Sequence, residues 1–275
     1  MSVNLTGEDS LTPWQHVEIA RHPKRPHLQD FIAGLFTDVF ELHGDRHFGD
    51  DKALFTAIAR FEGIAVTVGG HIKGSDLNEN ISCNFGMSHP EGYRKFIRLA
   101  KQAEKFGRPV ITFIDTPGAY PGADAEERGQ GEAIARCLFE LSGLEVPIIA
   151  VVIGEGGSGG ALALSLADHI IIYEHAIYSV LSPEGFASIL WKDPKRAEEA
   201  SAVMKLTALD LASFGMADTV ITEPEGGAHG NPSRAIEALR PALKKALSGL
   251  LLLDTPSLLK ARYTRYRGFG EQSEV

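Results

Sequence analysis

The 275-residue sequence predicts an α/β fold in which helices cover a mostly parallel sheet. Two short, largely apolar runs, residues 109–115 and 146–153, have the composition of strands that are buried on both faces of a sheet. Helical patterns lie between and after these runs, and strands that alternate with helices are typical of parallel βαβ units. Apolar residues make up 44% of the chain, which is enough to build a sizeable core.

The elements follow from local patterns. Apolar residues recur at three- and four-residue spacing from Leu28 to Phe40, which predicts an amphipathic helix that ends near Gly44. An alternating, β-branched run predicts one strand over residues 61–70. The other predicted elements, in chain order, are helix 93–106, strand 109–115, helix 126–142, strand 146–153, helix 159–167, strand 169–173, a helical region that opens at residues 182–185 and runs through 197–206, strand 217–221 and helix 232–252.

Composition narrows the class of protein. The net charge of −9 argues against a nucleic-acid-binding surface. The two cysteines, Cys83 and Cys137, form no C-x-x-C pair, so we expect neither a metal site nor a disulfide framework in this chain. Residues 1–13 lack the apolar core of a signal peptide, and residues 146–153 are too few to cross a bilayer. We therefore expect a cytoplasmic protein without membrane association.

A glycine-rich loop, residues 154–161 (GEGGSGGA), connects a predicted strand to a predicted helix. It matches the G-x-G-x-x-G pattern of dinucleotide-binding folds, with Glu174 about 20 residues further on. It also matches the G-x-S-x-G pattern of serine hydrolases, and Asp210, Asp218 and His229 follow in the order that a catalytic triad requires. The following helix is short for a dinucleotide fold, and the acids and the histidine stand in no recognisable setting.

We favour a third interpretation, in which the missing side chains let backbone N–H groups point into a site. A helix N-terminus adds positive potential there, and paired N–H donors can stabilise a developing oxyanion by several kcal/mol. Close packing would explain one or two glycines, but the loop has five in eight positions. A second loop, residues 115–122 (DTPGAYPG), also follows a buried strand, and such loops meet at the carboxyl edge of a parallel sheet.

Several motifs together resemble the α-subunit family of bacterial acetyl-CoA carboxylase carboxyltransferases, in its short form. The resemblance runs from about residue 21 to about residue 250. One departure is Cys83, because a basic residue often precedes the NFG motif in this family. The motifs are residues 43–46 (HGDR), 84–87 (NFGM), 90–95 (PEGYRK), 115–122 (DTPGAYPG), 126–131 (EERGQG), 154–161 (GEGGSGGA) and 182–191 (SPEGFASILW).

This resemblance implies a crotonase-like (ClpP/crotonase) α/β fold of repeated ββα units with outer helices. We expect one carboxyltransferase domain over residues 21–252, a flexible N-terminal extension over residues 1–20 and a C-terminal tail over residues 253–275. The family pairs this chain with a β subunit as an α2β2 assembly. Zinc belongs to the β subunit, and this chain binds no cofactor covalently. Carboxybiotin arrives as a substrate on biotin carboxyl carrier protein, and biotin carboxylase belongs to the wider complex.

The implied enzyme is a biotin-dependent carboxyltransferase that makes malonyl-CoA from acetyl-CoA, at the first committed step of fatty acid synthesis. Carboxybiotin releases carbon dioxide, the biotin ureido anion takes a proton from the acetyl methyl, and the enolate attacks the carbon dioxide. Two alternatives remain open: a stand-alone crotonase-like acyl-CoA hydratase or hydrolase, and a non-catalytic scaffold subunit.

The resemblance also implies a site in this sequence, in which the N–H groups of Gly159, Gly160 and Ala161 form an oxyanion hole. Gly156 and Gly157 would shape the loop, and Gly118 and Ala119 would line the crevice. Arg94 and Lys95 would neutralise a substrate anion, unless they form a solvated helix face.

Overall fold

Eight strands form a single sheet in the computed structural model, which describes residues 11–270. The strand order is β1-β2-β3-β4-β5-β6-β8, and β7 pairs with the end of β5. Strands β1 to β3 are antiparallel, whereas every pairing from β3 onward is parallel. The strands are β1 Thr37–Glu41, β2 Leu54–Phe61, β3 Ile64–His71, β4 Val110–Thr116, β5 Ile148–Gly157, β6 His169–Tyr173, β7 Ile177–Ser179 and β8 Thr219–Ile221.

Helices cover both faces of this sheet. A side chain added at Gly69 would meet Phe96 of one helix, and one added at Gly70 would meet Leu28 of another. Because successive residues of a strand point to opposite faces, these two helices lie on opposite sides. The helices are α1 Pro13–Ala20, α2 Leu28–Leu35, α3 Leu77–Ser82, α4 Pro90–Lys105, α5 Ala123–Glu127, α6 Gln130–Ser142, α7 Ser158–Ser165, α8 Pro183–Trp191, α9 Ala197–Met204, α10 Ala208–Ser213, α11 Pro232–Leu250 and α12 Thr255–Gly268.

The predicted parallel strands are confirmed. Every residue of β4 and β5 is buried, which is why their sequences are almost continuously apolar. The predicted strand over residues 169–173 coincides with β6, and the predicted closing helix coincides with α11 to within two residues. The centre of the fold is thus the part that the sequence predicts best.

The predicted helix from residue 28 to residue 44 is wrong beyond Leu35. The backbone becomes extended at Phe36, and β1 pairs antiparallel with β2, with Phe40 opposite Ile58. Aromatic and β-branched residues favour an extended strand, and the free edge of β2 supplies the hydrogen-bond partners. Tertiary pairing therefore overrides the helical spacing of the apolar residues.

The single strand predicted over residues 61–70 is instead half of a hairpin. Its turn consists of Glu62 and Gly63, which both have positive φ, at +49° and +81°. A two-residue turn with positive φ at both positions matches the twist of antiparallel strands. The predicted helix over residues 126–142 is likewise divided, because Gly129 adopts a left-handed conformation between α5 and α6.

Both chain ends that the structure describes are packed against the domain. Residues 1–10 and 271–275 of the predicted extension and tail lie outside the described residues. Helix α1 has a capping box at Thr12, and its buried Val17 joins a small cluster with Ile177 and Leu206. Residues 13–20 of the expected N-terminal extension thus form a packed helix. The tail forms α12, which is held by the buried Arg262.

Arg262 is enclosed at the amino end of β5. Its guanidinium donates to the carboxylate of Asp168 at 2.7 Å and to the carbonyls of Leu141 and Leu144 at 2.8 and 2.7 Å.

None of the helices within residues 11–270 combines the length and the apolar composition that a membrane span requires.

We expect Arg262→Met to lower the free energy of unfolding by about 3–5 kcal/mol, because it leaves a buried carboxylate without its partner. Urea denaturation measures this loss. Arg60→Met is the matched control, since Arg60 pairs with Asp38 at an exposed position and should matter far less. Equal midpoints for the two variants would contradict the structural role of Arg262.

Candidate active site

The glycine-rich loop forms the junction between β5 and α7. Gly157 is the last residue of β5, and Ser158 begins α7 with a left-handed φ of +54°. This conformation is strained for a residue with a side chain, and such strain persists only where the surroundings impose it. The junction turns the chain sharply, so the first turn of α7 starts at the carboxyl edge of the sheet.

The second loop lies directly against the first. A Cβ atom on Gly160 would lie 2.7 Å from the amide nitrogen of Ala119 and 2.6 Å from the carbonyl carbon of Gly118. A Cβ atom on Gly157 would overlap the carbonyl of Pro117. Both glycines are therefore required for the backbone contact between the loops, and the predicted meeting of the two loops is confirmed.

Side chains order the two loops locally. Thr116 Oγ1 donates to the carbonyl of Gly118 at 2.6 Å and accepts from its N–H at 3.1 Å. A Cβ atom on Gly156 would overlap the ring of Tyr178. Gly159 is less confined, because its nearest neighbour would be the flexible tip of Ile134 at 3.3 Å.

The first turn of α7 presents backbone donors. A helix that begins at Ser158 leaves the N–H groups of Ser158, Gly159 and Gly160 without an acceptor inside the helix. Regular helix geometry has the N–H of Ala161 donate to the carbonyl of Gly157. The helix dipole adds positive potential at this end. The arrangement is suited to binding an oxyanion, with Gly159 and Gly160 better placed as donors than Ala161.

A buried histidine lies beneath the loop. His71, the last residue of β3, is fully buried beside the backbone of Gly160 and Phe113. Neither of its ring nitrogens has a hydrogen-bond partner among residues 11–270. Burial lowers the pKa of His71 to about 4, although the nearby Asp115 opposes this shift. The imidazole is therefore neutral at neutral pH.

A charged network borders the site at the ends of β3, β4 and β5. Lys73 Nζ forms an ion pair with Asp115 Oδ1 at 2.7 Å and donates to Glu155 Oε2 at 3.0 Å, and Arg21 Nε donates to Glu155 Oε1 at 2.6 Å. Arg21 also binds Glu184, at the start of α8, at 2.7 Å. The network lines a polar cleft of about 280 Å³. Sequence reasoning missed Arg21 and Lys73, because no spacing relates them to partners so distant in the chain.

The basic residues predicted to contact substrate are bonded within the chain. Lys95 is 2% exposed, and its ammonium donates to Asp50 Oδ1 at 2.6 Å and to the carbonyl of Asp51 at 2.8 Å. Arg94 donates to the carbonyl of Arg128 at 2.5 Å. Their contacts hold neighbouring loops in place, and the substrate role of the two residues stays a prediction.

The serine-hydrolase interpretation lacks its triad. Ser158 occupies the sharp strand-to-helix turn that such an enzyme requires, but the expected partners lie elsewhere. Asp210 caps α10 through Thr207, Asp218 pairs with Arg265 at 2.6 Å, and His229 stacks on His22. None of these three residues is therefore available to Ser158 as a member of a catalytic triad.

The remaining candidates are also engaged. The carboxylate of Glu174, expected at a ribose in the dinucleotide interpretation, accepts the backbone N–H of Glu223 at 2.9 Å. Cys83 and Cys137 are buried free thiols, and burial raises the pKa of each. Within residues 11–270, no group of three or more His, Cys, Asp or Glu side chains is arranged to hold a metal ion.

Comparison with known proteins identifies the family. A family model described as "Acetyl co-enzyme A carboxylase carboxyltransferase-like" matches residues 5–270. The chain is 59% identical over 259 residues to the acetyl-coenzyme A carboxylase carboxyl transferase subunit alpha of Clostridium botulinum (strain Eklund 17B / Type B), which covers 94% of each chain. The chain belongs to this family. The protein of the same name from Geobacillus kaustophilus (strain HTA426) is 55% identical over 264 residues, or 96% of this chain and 81% of that one.

Solved structures of more distant proteins share the fold. Transcarboxylase 12S aligns with a TM-score of 0.69 at 21% identity, over 90% of this chain and 46% of that chain. A Pseudomonas malonate decarboxylase hetero-tetramer in complex with coenzyme A aligns with a TM-score of 0.65 at 18% identity, over 81% of this chain and 89% of that chain. The crotonase-like fold implied by the sequence is confirmed.

The pKa of His71 predicts an acid-sensitive fold. Its folded-state pKa of about 4 lies below that of a free histidine, so its contribution to stability is complete above the unfolded pKa and is lost as the pH falls toward 4. We expect this one residue to remove about 2 kcal/mol of unfolding free energy between about pH 7 and pH 5. Urea denaturation at both pH values measures the drop.

His71→Gln should reduce this drop, whereas His47→Gln, at an exposed histidine, should leave it unchanged. The charged neighbours of His71 are Asp115 and Lys73, which both variants retain. An equal drop in wild type and His71→Gln would show that other groups cause the acid sensitivity.

Proposed function

We propose that this chain is the α subunit of an acetyl-CoA carboxylase carboxyltransferase, which transfers a carboxyl group from carboxybiotin to acetyl-CoA to give malonyl-CoA. Membership of the family supports the reaction. The structural observation that carries the proposal is the backbone contact of Gly160 with Gly118 and Ala119. The contact brings the first turn of α7 to the carboxyl ends of two parallel strands, the edge where ligands of such sheets bind, and this supports the proposal.

The proposed role of this chain is electrostatic. Release of carbon dioxide from carboxybiotin leaves negative charge on the ureido oxygen, and the N–H groups of Gly159 and Gly160 would stabilise that charge. Preorganised donors of this kind each contribute about 3–4 kcal/mol to a transition state. The ureido nitrogen would accept the methyl proton of the acyl group, and the resulting enolate would attack carbon dioxide. The chain therefore needs no side-chain nucleophile.

The proposed partners are a zinc-binding β subunit, which would supply the acyl-CoA side of the site, and biotin carboxyl carrier protein, which would deliver carboxybiotin. Biotin carboxylase would complete the carboxylase. The name of the relatives, subunit alpha, supports a multisubunit enzyme. An apolar surface groove of about 600 Å³ gives independent support for a partner, since patches of this kind are typical of interaction surfaces. The exposed apolar side chains that line it include Val180, Val203 and Phe214.

The reverse reaction tests the assignment. We expect malonyl-CoA and a free biotin derivative to yield acetyl-CoA only when this chain is co-expressed with its β partner. Acetyl-CoA formation is followed by chromatography, with each subunit alone as the control. Turnover by this chain alone would contradict the shared site and would favour a stand-alone acyl-CoA enzyme. Full turnover by the β subunit alone would make this chain a scaffold.

The oxyanion role is tested at Gly160. We expect Gly160→Val to lower the rate of carboxyl transfer by at least about 100-fold, because the side chain would force the two loops apart and displace a donor. The α–β complex should still form in size-exclusion chromatography. Gly249→Val is the matched control, since a Cβ atom there meets no neighbour. Wild-type transfer by Gly160→Val would remove the loop from the mechanism.

A further inference from the structure

The register of the pairing between β4 and β5 shifts near the carboxyl ends of the two strands, and we call this shift the step. The strands are in regular register from Val110 opposite Ile148 to Ile114 opposite Val152, but Thr116 then lies opposite Gly156. Asp115 alone therefore faces residues 153–155 of β5. Extra residues in one strand interrupt the hydrogen-bond ladder, and their buried backbone groups need other partners.

Two buried side chains supply these partners. Asp115 Oδ1 accepts from the N–H of Glu155 at 3.0 Å, and Arg25 Nε donates to the carbonyl of Ile153 at 2.6 Å. Between these positions, Gly154 leaves room for the carboxylate, because a Cβ atom there would lie 2.5 Å from Asp115 Oδ1. The step is thus built around the carboxylate of Asp115.

Lys73 keeps this carboxylate charged. Its ammonium lies 2.7 Å from Asp115 Oδ1 and also binds Glu155, the residue whose N–H Asp115 accepts. Burial alone would raise the pKa of Asp115, but Lys73 and His27 outweigh it and hold that pKa well below its usual range. The same two carboxylates outweigh the burial of Lys73 and raise the pKa of its ammonium. Both groups are therefore ionised at neutral pH.

We infer that Asp115, paired with Lys73, is a positioning residue that sets the direction of the Gly159 and Gly160 N–H groups. Asp115 precedes Thr116 and the Gly118–Ala119 segment in one loop, and it accepts the N–H of Glu155 in the other loop. It therefore determines the separation and the angle between the loops. This inference rests on the proposed function, because it assigns Asp115 an effect on the proposed oxyanion hole.

The opposite end of β5 provides a matched control. Asp168 Oδ2 accepts from the N–H of Ile148 at 2.8 Å and pairs with the buried Arg262 at 2.7 Å. Asp168 and Asp115 thus make the same two kinds of bond, to a backbone N–H of β5 and to a cation. Only Asp115 lies beside the glycine loops, so a purely structural effect should be common to both positions.

The experiment compares Asp115→Asn with Asp168→Asn in the complex with the β subunit, by the reverse reaction from malonyl-CoA and a free biotin derivative. Both substitutions should lower the midpoint of thermal unfolding. Well below those midpoints, we expect Asp115→Asn to lower kcat by about 10- to 100-fold, since a small misplacement of a catalytic group has an effect of that size. The KM for malonyl-CoA should stay within about twofold, and Asp168→Asn should retain wild-type kcat.

A second variant separates position from charge. Gly154→Ala leaves Asp115 and Lys73 intact, but its methyl group would displace the carboxylate from the step. We expect a loss of kcat comparable to that of Asp115→Asn, and no larger loss when the two changes are combined, because both disrupt one interaction. Gly131→Ala is the control, since a Cβ atom there has no neighbour within 4 Å.

Wild-type kcat in both Asp115→Asn and Gly154→Ala would overturn the positioning role, as would an equal loss of kcat in Asp168→Asn. A wild-type complex without turnover would overturn the proposed function, and this role with it. Turnover by the wild-type complex beside unimpaired Asp115→Asn and Gly154→Ala variants would overturn the positioning role alone.

Discussion

The candidate site depends on a backbone contact that leaves no room for a side chain. Gly160 touches Gly118 and Ala119 so closely that a single methyl group would not fit. This contact is possible only because β4 and β5 are adjacent and parallel, so that their carboxyl ends lie at one edge of the sheet. The rest of the fold serves this pair of strands. Helices bury both of their faces, and their loops are held by side chains from neighbouring segments.

Buried charges determine geometry in this protein at both ends of β5. At the amino end, Asp168 and Arg262 fasten α12 to the strand; at the carboxyl end, Asp115 and Lys73 lie beside the glycine loops. Burying an ion pair is costly and adds little net stability compared with apolar packing. Such pairs are informative here because each carboxylate also accepts a backbone N–H of β5. They satisfy backbone groups that the sheet leaves unpaired, and so define where the strand begins and where it departs from its regular register.

The glycine-rich loops were recognisable from the sequence, whereas the ion pairs of the charged residues that border them were not. Five glycines in one strand-to-helix loop indicate backbone donors, because a turn alone does not need so many. Arg94 and Lys95 looked equally suitable by residue type, but helical spacing does not reveal what a side chain meets. Lys95 binds Asp50, 45 positions away, and Arg21 binds Glu155, 134 positions away. Contacts over such separations leave no periodic trace in a single sequence.

By itself, the sequence determined the buried parallel strands, the helices between them and the glycine loops, because these follow from apolar composition and from the φ/ψ freedom of glycine. Only the tertiary structure decided that residues 37–41 form an edge strand, that residues 62 and 63 form a hairpin turn, and that both described chain ends dock on the domain. It also decided which ions pair. A local sequence pattern predicts an element when the element's own apolar residues account for its burial. When the hydrogen-bond partners or counter-charges of an element come from distant segments, its structure is determined only by the folding of the whole chain.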